Sequence, residues 1–216
     1  MREQDRWISD HVACLRMEKL VYVRYEISKG SFYHPTLQYN QWTELNFNDI
    51  NWHEDHVFSF ILPPLDRYIS GIAFDLFYNP DLMDILLDKG PDLLKRLLII
   101  TPHSIPVHNI FFDHANNIDW IPAGVGFNDQ SNFKKLLDHH SLEIEWNADV
   151  TRSGWKKILL IKEKIKSLLE SDIGIGNRHM WSMLAKDLDL YKKILDNFDD
   201  SAAAWPDVSW KNKYKL

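Results

Sequence analysis

The sequence lacks the features that mark secreted, membrane-spanning and nucleic-acid-binding proteins. Its 216 residues include one cysteine, Cys14, which excludes an internal disulfide and predicts a reducing compartment, the cytoplasm. No apolar run approaches the roughly 20 residues that a membrane-spanning helix needs, and the charged N-terminal segment has no signal-peptide core. The net charge of -6 argues against nonspecific binding to nucleic acid or to an anionic membrane surface.

Two kinds of site are also missing from the sequence. No G-x-x-x-x-G-K-[ST] stretch occurs, which disfavours a P-loop kinase acting on a small molecule. His103, His108, Asp113 and His114 lie close together along the chain, but their spacing fits neither a helical nor a CxxC-type ligand set. We therefore expect no metal site.

The apolar residues that are present predict a packed core built on several strands. Hydrophobic residues make up 45% of the chain and aromatic residues 13%, which is enough for a globular domain. Alternating or short continuous apolar runs predict strands, the second buried on both faces and the last at an edge. These runs are Glu18–Glu26, His56–Leu62, Ile118–Gly124 and Leu142–Asn147.

Apolar residues at helical spacing occur between these strands and dominate the last third of the chain. The predicted helices are Gln4–Leu15, one beginning at Pro64, Pro80–Leu87, Pro91–Ile100, Asp129–His140 and two long helices after Gly154. Strands that alternate with helices predict a three-layer α/β fold with a largely parallel sheet and a helical C-terminal region. We assign residues 1–200 to this single domain and residues 201–216 to a C-terminal extension.

The stretch "FSFILPPLDRYIS" predicts a strand that leads directly into a helix. Pro64 suits the first helical turn, where the missing N–H costs nothing, and Arg67 and Ser70 follow on the first turns. Such a junction is a common anion site, because the first N–H groups of a helix are unpaired. The polar turn Ser28–Ser31 follows the strand before it. We expect the two strands to be adjacent and parallel, so that both turns lie at the edge where α/β sheets bind ligands.

Three segments in this order resemble the carbohydrate and membrane-associated sulfotransferases. They are "FSFILPPLDRYISGI", "HSIPVHNIFFDHANNIDWIPAGVGFNDQSNFKKLL" and "MLAKDLDLYKKI". In the first, Pro64, Arg67 and Ser70 match the family pattern R-[DN]-P-x-x-R-x-x-S. His103–Pro106 is similar to a second family feature, and Asp187–Tyr191 resembles the aspartate-led D-x-x-L-Y motif of the closing helix.

The resemblance implies a P-loop-type sulfotransferase-like fold with 3′-phosphoadenosine 5′-phosphosulfate (PAPS) as cofactor. The implied reaction moves a sulfuryl group to a hydroxyl of a carbohydrate or other small acceptor. Such a transfer needs an in-line approach, a base, and positive charge or N–H donors on the leaving phosphate. The resemblance assigns cofactor binding to Arg67 and Ser70. In the turn Ser28–Ser31, either Lys29 or the backbone N–H groups, including those of Ser28 and Gly30, serve the leaving group, and Ser31 donates to the 5′-phosphate.

The resemblance leaves the base and one phosphate contact open. Glu44, His53 and His56 follow the turn from which the family takes its base, and we favour His53. Arg152 or Lys156, in a basic glycine-containing turn, is assigned a contact with the 3′-phosphate, although Ser153 of this turn also fits a helix N-cap. The nucleotide and a hydroxyl-bearing acceptor are therefore the expected partners.

Three positions depart from the family and support a different function. Leu62 stands where the family has its first phosphate-binding arginine, Pro63 stands where it has Asp or Asn, and Ile27 stands where it has a lysine. Arg67 could also have a structural role, paired with a nearby aspartate or a carbonyl group. The alternative is therefore a catalytically inactive binding or structural protein that keeps the scaffold.

Overall fold

The computed structural model describes residues 12–25, 30–79, 81, 102–124, 127–146, 155–171 and 175–197. These residues form a five-stranded sheet of order β3-β1-β2-β4-β5. The strands are β1 (Val12–Met17), β2 (Leu20–Tyr25), β3 (Thr43–Leu45), β4 (His56–Ile61) and β5 (Asp119–Pro122). The helices are α1 (Gly30–Tyr39), α2 (Pro64–Tyr78), α3 (Val107–Phe111), α4 (Asp129–His139), α5 (Trp155–Ser171) and α6 (Ile175–Asn197).

The middle of the sheet is parallel. Tyr22 of β2 lies opposite Phe58 of β4, and Phe58 in turn lies opposite Asp119 of β5, all in parallel register. The prediction that the strands before the two turns are adjacent and parallel is confirmed. Since these strands run in one direction, their C-terminal ends share one edge of the sheet, the carboxyl edge, and their N-terminal ends share the opposite amino edge.

The first described strand replaces part of a predicted helix. β1 pairs antiparallel with both β2 and β3, so the sheet is mixed. The helix prediction for Gln4–Leu15 is wrong where it overlaps β1, and its earlier residues lie outside the described part of the chain. Cys14 packs into the core on one face of the sheet and Leu15 into the core on the other. A strand buried on both faces gives a continuous apolar run, which helical spacing can imitate.

One face of the sheet is covered by α1 and α4. Tyr33 of α1 stacks on Phe60 of β4 with ring centroids 3.7 Å apart, and Phe133 of α4 stacks on Phe58 at 5.4 Å. Leu37 of α1 joins the same buried cluster. Because β4 alternates its side chains, Phe58 and Phe60 both face this layer.

The opposite face is covered by α3 and α6. Val57 and Ile61 of β4 pack there with Phe111 of α3 and Tyr191 of α6. A further buried cluster joins α2, α5 and α6 beside this layer; its members include Tyr68, Ile69, Ile72, Ile158, Ile161, Ile165 and Leu184. The chain therefore has an α/β fold with helices on both faces, and long helices occur in its C-terminal region as expected. Over the described residues, no helix is both long enough and apolar enough to cross a membrane.

The predicted edge strand Leu142–Asn147 is wrong over its described residues, which form no strand. Instead, the Asn40 side chain binds the extended backbone: its Nδ2 donates to the Glu145 carbonyl at 2.9 Å, and its Oδ1 accepts from the Glu145 N–H at 2.7 Å. Leu142 and Ile144 pack against the core below. The apolar alternation is therefore real, but a side-chain amide takes the place of a neighbouring strand.

Other predicted elements lie mostly outside the described residues. This applies to the helices Pro80–Leu87, of which only Asp81 is described, and Pro91–Ile100, and to the extension 201–216. The boundary of the single domain therefore stays a prediction.

Candidate functional site

Three parallel strands of the described chain end at the carboxyl edge of the sheet, and each is followed by a helix. β2 leads to α1, which begins at Gly30; β4 leads to α2, which begins at Pro64; and β5 leads to α4, which begins at Asp129. The strands are neighbours and parallel, so the three helix N-termini point toward the same edge. The first N–H groups of a helix have no partner within the helix, and they attract anions. This edge is the candidate functional site.

The connection between β4 and α2 is tightly packed. Pro63 is the N-cap, makes no side-chain capping bond, and is followed by Pro64 in the first turn. The loop after β5 passes close by: Gly124 has a φ of 113°, and a Cβ there would lie 3.3 Å from Leu62 Cδ2. The half-buried Leu62 therefore fills the place between two loops of the carboxyl edge.

Arg67 lies beneath this edge, inside the protein. The residue is 1% exposed, and its Nη1 donates a hydrogen bond to the Ile105 carbonyl at 2.5 Å. Its guanidinium also lies 5.1 Å from the centre of the Tyr25 ring, in a cation–π contact. The contacts of Arg67 therefore join α2, the end of β2 and the segment before α3.

Asp187 of α6 holds the same segment from the other side. Its Oδ2 accepts the Val107 N–H at 2.6 Å and its Oδ1 accepts the His108 N–H at 2.8 Å, so the carboxylate caps α3. Burial raises the pKa of Asp187, while the His108 N–H and the Arg67 charge act to lower it. The three sequence segments that carry the family resemblance thus meet in one buried polar network.

Ser70 is half-buried and bonded within its own helix. Its hydroxyl donates to the Asp66 carbonyl at 2.5 Å, one turn earlier in α2. The next residue, Gly71, touches another chain segment: a Cβ added there would lie 2.3 Å from the His103 carbonyl oxygen. Ser70 can reach an outside ligand only if it exchanges its bond to Asp66.

The structure places two of the three predicted bases at the amino edge. His53 is exposed in the turn before β4, and His56 is the first residue of β4, so both belong to the amino edge. A strand of six residues separates them from Pro64, about 20 Å at 3.3 Å per residue. Glu44 lies in the outer strand β3, with β1 between it and β2.

The remaining predicted site residues fall at or beyond the limits of the described chain. Gly30 and Ser31 are the first residues of α1, directly at the carboxyl edge. Ser28, Lys29 and Arg152 lie outside the described residues. No helix was predicted from the sequence after the turn Ser28–Ser31, and α1 is therefore a finding of the structure; the phosphate-binding turn itself stays a prediction.

Sequence reasoning missed two features of α1 near this edge. The Tyr33 hydroxyl donates to Asp129 Oδ2 at 2.7 Å, which ties the first turn of α1 to the first turn of α4. Burial, followed by the charge of Arg24, lowers the pKa of His34 and so keeps its imidazole neutral, while Glu44 opposes this shift. The sequence feature that could have pointed to His34 is its position, four residues after Gly30, where α1 begins.

Among the described residues, no group of three or more His, Cys, Asp or Glu side chains is arranged to hold a metal ion. Comparisons of the chain with family models, curated proteins and solved structures find no match. A functional assignment must therefore be argued from the motifs and from the geometry of the carboxyl edge.

Proposed function

We propose that the chain is a sulfotransferase that moves a sulfuryl group from PAPS to a hydroxyl of a carbohydrate or other small acceptor. The observation that carries the proposal is the parallel pairing of β2 with β4. This pairing sets the N-termini of α1 and α2 side by side at one edge, and both turns that resemble phosphate-binding motifs precede those helices. Two adjacent helix N-termini suit a ligand with two separate phosphate groups.

In this proposal the α1 turn holds the 5′ side of the nucleotide. The backbone N–H groups of Ser28–Ser31 surround the phosphosulfate, and Lys29 neutralises the charge that develops on the leaving phosphate. The α2 N-terminus receives the 3′-phosphate, with Ser70 as a hydroxyl donor after it releases the Asp66 carbonyl. Arg152 adds a positive charge from the segment that precedes α5 in the sequence.

The buried position of Arg67 gives it a positioning role in the proposed site. Its bond to Ile105 and its contact with Tyr25 hold α2 against the neighbouring segments. It therefore fixes the direction in which the α2 N-terminus points, whereas the family resemblance alone assigns it a contact with the cofactor.

For the general base we assign His34 in place of His53. A base must be unprotonated near neutral pH and within reach of the attacking hydroxyl. Burial lowers the pKa of His34 and favours the neutral imidazole, and His34 lies on the second turn of α1, four residues after the helix begins, with its ring 6.4 Å from that of Tyr22 in β2. His53 lies at the amino edge, too far from the proposed cofactor.

A binding protein without catalytic activity is the second candidate, and one observation favours it. Leu62 occupies the position of the family's first arginine and packs between the β4 and β5 loops. The described part of the carboxyl edge therefore has an apolar side chain where a sulfotransferase has a phosphate ligand. Such a protein would use the same edge to bind an anion but would not transfer sulfate.

Calorimetry with adenosine 3′,5′-bisphosphate tests both candidates. We expect binding that requires both phosphates, so adenosine 5′-monophosphate should bind more weakly by about 1–3 kcal/mol. Ser70→Ala should weaken the bisphosphate by a similar amount of roughly 1–3 kcal/mol, and Ser182→Ala, at an exposed site on α6, is the matched control.

An assay of sulfate transfer from PAPS to a panel of sugars and phenols then separates the two candidates. Turnover that is lost in His34→Gln and kept in His53→Gln supports the enzyme with His34 as base. Bisphosphate binding without turnover supports the inactive protein. If the wild-type chain binds no bisphosphate, the assignment of the carboxyl edge to this nucleotide is wrong.

A further inference from the structure

A chain of three polar side chains crosses the amino edge of the sheet. His56 Nε2 lies 2.5 Å from Asp119 Oδ2, and His140 Nε2 lies 2.7 Å from His56 Nδ1. His56 opens β4, Asp119 opens β5 and His140 caps the C-terminus of α4. These three hydrogen-bonded side chains therefore join the C-terminal end of α4 to the starts of β4 and β5.

Proton positions along this chain follow from the chemistry of the groups. The Asp119 carboxylate accepts a hydrogen bond, so His56 carries its proton on Nε2 when it is neutral. The Nδ1 of His56 then has a lone pair, and His140 Nε2–H donates to it. A first added proton leaves this bond intact, because it can bind at His140 Nδ1. With a second proton both facing nitrogens carry hydrogen, and the bond is replaced by repulsion between two cations.

The charges around the pair oppose full protonation. Burial lowers the pKa of His140, and the imidazoles of His56 and of His139, on the same helix end, act in the same direction. The carboxylates of Asp119 on β5 and Glu18 in the β1–β2 turn act against this shift. The net effect lowers the pKa of His140, so in the folded state His140 stays neutral at pH values at which an ordinary histidine is already charged.

The distance between the imidazoles fits a shared proton better than a metal ion. Two nitrogens bound to one tetrahedral zinc, each about 2.0–2.1 Å from it, would lie about 3.3 Å apart. The observed separation is 2.7 Å, which is a hydrogen-bond distance. Asp119 contacts the far nitrogen of His56 and so does not face the space between the two rings.

We propose that Asp119, His56 and His140 form a pH-sensitive latch that holds the C-terminal end of α4 at neutral pH and releases it in acid. The other end of α4 carries Asp129, which binds Tyr33 at the carboxyl edge. Release at the amino edge therefore acts on an element that also shapes the candidate site. The proposal depends only on these contacts and stands independently of the sulfotransferase assignment.

Nuclear magnetic resonance on the full chain tests the latch. At pH 7.5 the ¹⁵N shifts should identify His140 Nε2 as protonated and His56 Nδ1 as unprotonated. Hydrogen-exchange protection of the His140 and Leu142 amides, which bond to the Leu137 carbonyl, should then fall on acidification below about pH 6.5. One linked proton changes the opening constant by about tenfold per pH unit.

Two variants identify the titrating group. His140→Gln cannot be protonated, and its amide can face His56 Nδ1 with the NH₂ group when that nitrogen is unprotonated or with the oxygen when it carries hydrogen, so the acid-dependent loss of protection should disappear. His139→Gln removes the exposed neighbouring imidazole and should keep that loss. The proposal is overturned if protection in the wild type is independent of pH, if His140→Gln behaves as the wild type does, or if added Zn²⁺ at neutral pH displaces the shared proton and binds both rings.

Discussion

The Asp187 carboxylate accepts the Val107 N–H at 2.6 Å across 80 residues of chain. The same carboxylate accepts the His108 N–H, and Arg67 donates to the neighbouring Ile105 carbonyl. A four-residue segment is thereby held between a buried cation and a buried anion. Because buried charges are stable only with partners of this kind, we infer that the network determines where the segment lies.

Asp187→Asn tests this network. One of the two oxygens becomes an NH₂ group that faces a backbone N–H, and Arg67 loses a nearby negative charge. We expect the free energy of unfolding to fall by roughly 1–3 kcal/mol, measured by urea denaturation. Asp189→Asn, an exposed carboxylate two residues later on α6, is the control and should change it by less than about 0.5 kcal/mol. Equal effects of the two variants would contradict the role of Asp187.

The pH dependence of the same variant tests the charge state of Asp187. Burial raises its pKa in the folded protein, so between the unfolded pKa, near 3.9, and the raised folded value the folded state binds more protons than the unfolded state. In that window the contribution of Asp187 to stability falls as the pH rises, and asparagine has no such dependence. The stability difference between wild type and Asp187→Asn should therefore shrink above about pH 4. A difference that grows with pH would mean that hydrogen bonds and Arg67 outweigh burial.

Gly71→Ala should destabilise the protein, although alanine is the better helix former. An exposed glycine in a helix costs about 0.5–1 kcal/mol relative to alanine, so the substitution would normally stabilise. Here the new Cβ would lie 2.3 Å from the His103 carbonyl oxygen and 2.8 Å from the Ser104 nitrogen, both in backbone that cannot rotate away. We expect a loss of roughly 1–3 kcal/mol in thermal or urea unfolding. The preceding substitution Ser70→Ala places no atom in that contact, and a stabilised Gly71→Ala would refute the close approach.

Strands whose neighbours are set by the hydrophobic effect could be predicted from the sequence. The run from His56 to Leu62 is apolar on both faces, and such a run fits best in the middle of a parallel sheet with helices on both sides. This run also predicted that the strand pairs with β2 and that a helix begins at Pro64, and the structure has both. The edge segment around Glu145 could not be predicted, because its partner is the Asn40 side chain, and no local pattern encodes that contact.

The candidate site was harder to predict because a charged side chain that is buried bonds to the protein itself and not to an outside ligand. In the sequence, Arg67 follows a helix start and reads as an anion ligand, but in the fold its side chain turns inward to the Ile105 carbonyl. The distances from Arg67 to the Ile105 carbonyl and to Asp187 are set by tertiary packing. His53 shows the same limit, since only the strand direction reveals that it lies at the opposite edge.

Tyr33→Phe should loosen the carboxyl edge. The Tyr33 hydroxyl joins α1 to α4 through Asp129, and its ring stacks on Phe60. Phenylalanine keeps the stacking and loses a hydrogen bond to a charged group, worth about 1.5–3 kcal/mol. Chemical denaturation should show this loss, and Tyr39→Phe, which removes only a long, exposed contact of 3.4 Å with Glu145 from the same helix, should show almost none. Similar stability of the two variants would mean that the bond to Asp129 contributes nothing.

Leu62→Arg tests whether the carboxyl edge is an anion site that lacks one charge. Leu62 is half-buried, and its Cδ2 lies near Gly124 at the surface of the loop after β5, so an arginine can extend toward solvent at the end of β4. An arginine there would add a bidentate contact to a phosphate, and we expect bisphosphate affinity to rise by about 1.5–3 kcal/mol. Calorimetry and the melting temperature are measured on the same sample. Leu136→Arg, a half-buried leucine on α4, adds the same charge elsewhere and should give no gain in affinity.

The two measurements on Leu62→Arg distinguish an anion site at the carboxyl edge from a packing surface. If the edge binds phosphate, the new arginine has an anionic partner, and affinity rises while the fold stays stable. If the edge is only a packing surface, the guanidinium lies against the apolar cluster of Phe60 and Ile121 without a partner. An unpaired charge in that position lowers the free energy of unfolding by about 3–5 kcal/mol. A lower melting temperature with no gain in affinity would therefore remove the anion site from the carboxyl edge and leave Leu62 as a core residue of an inactive scaffold.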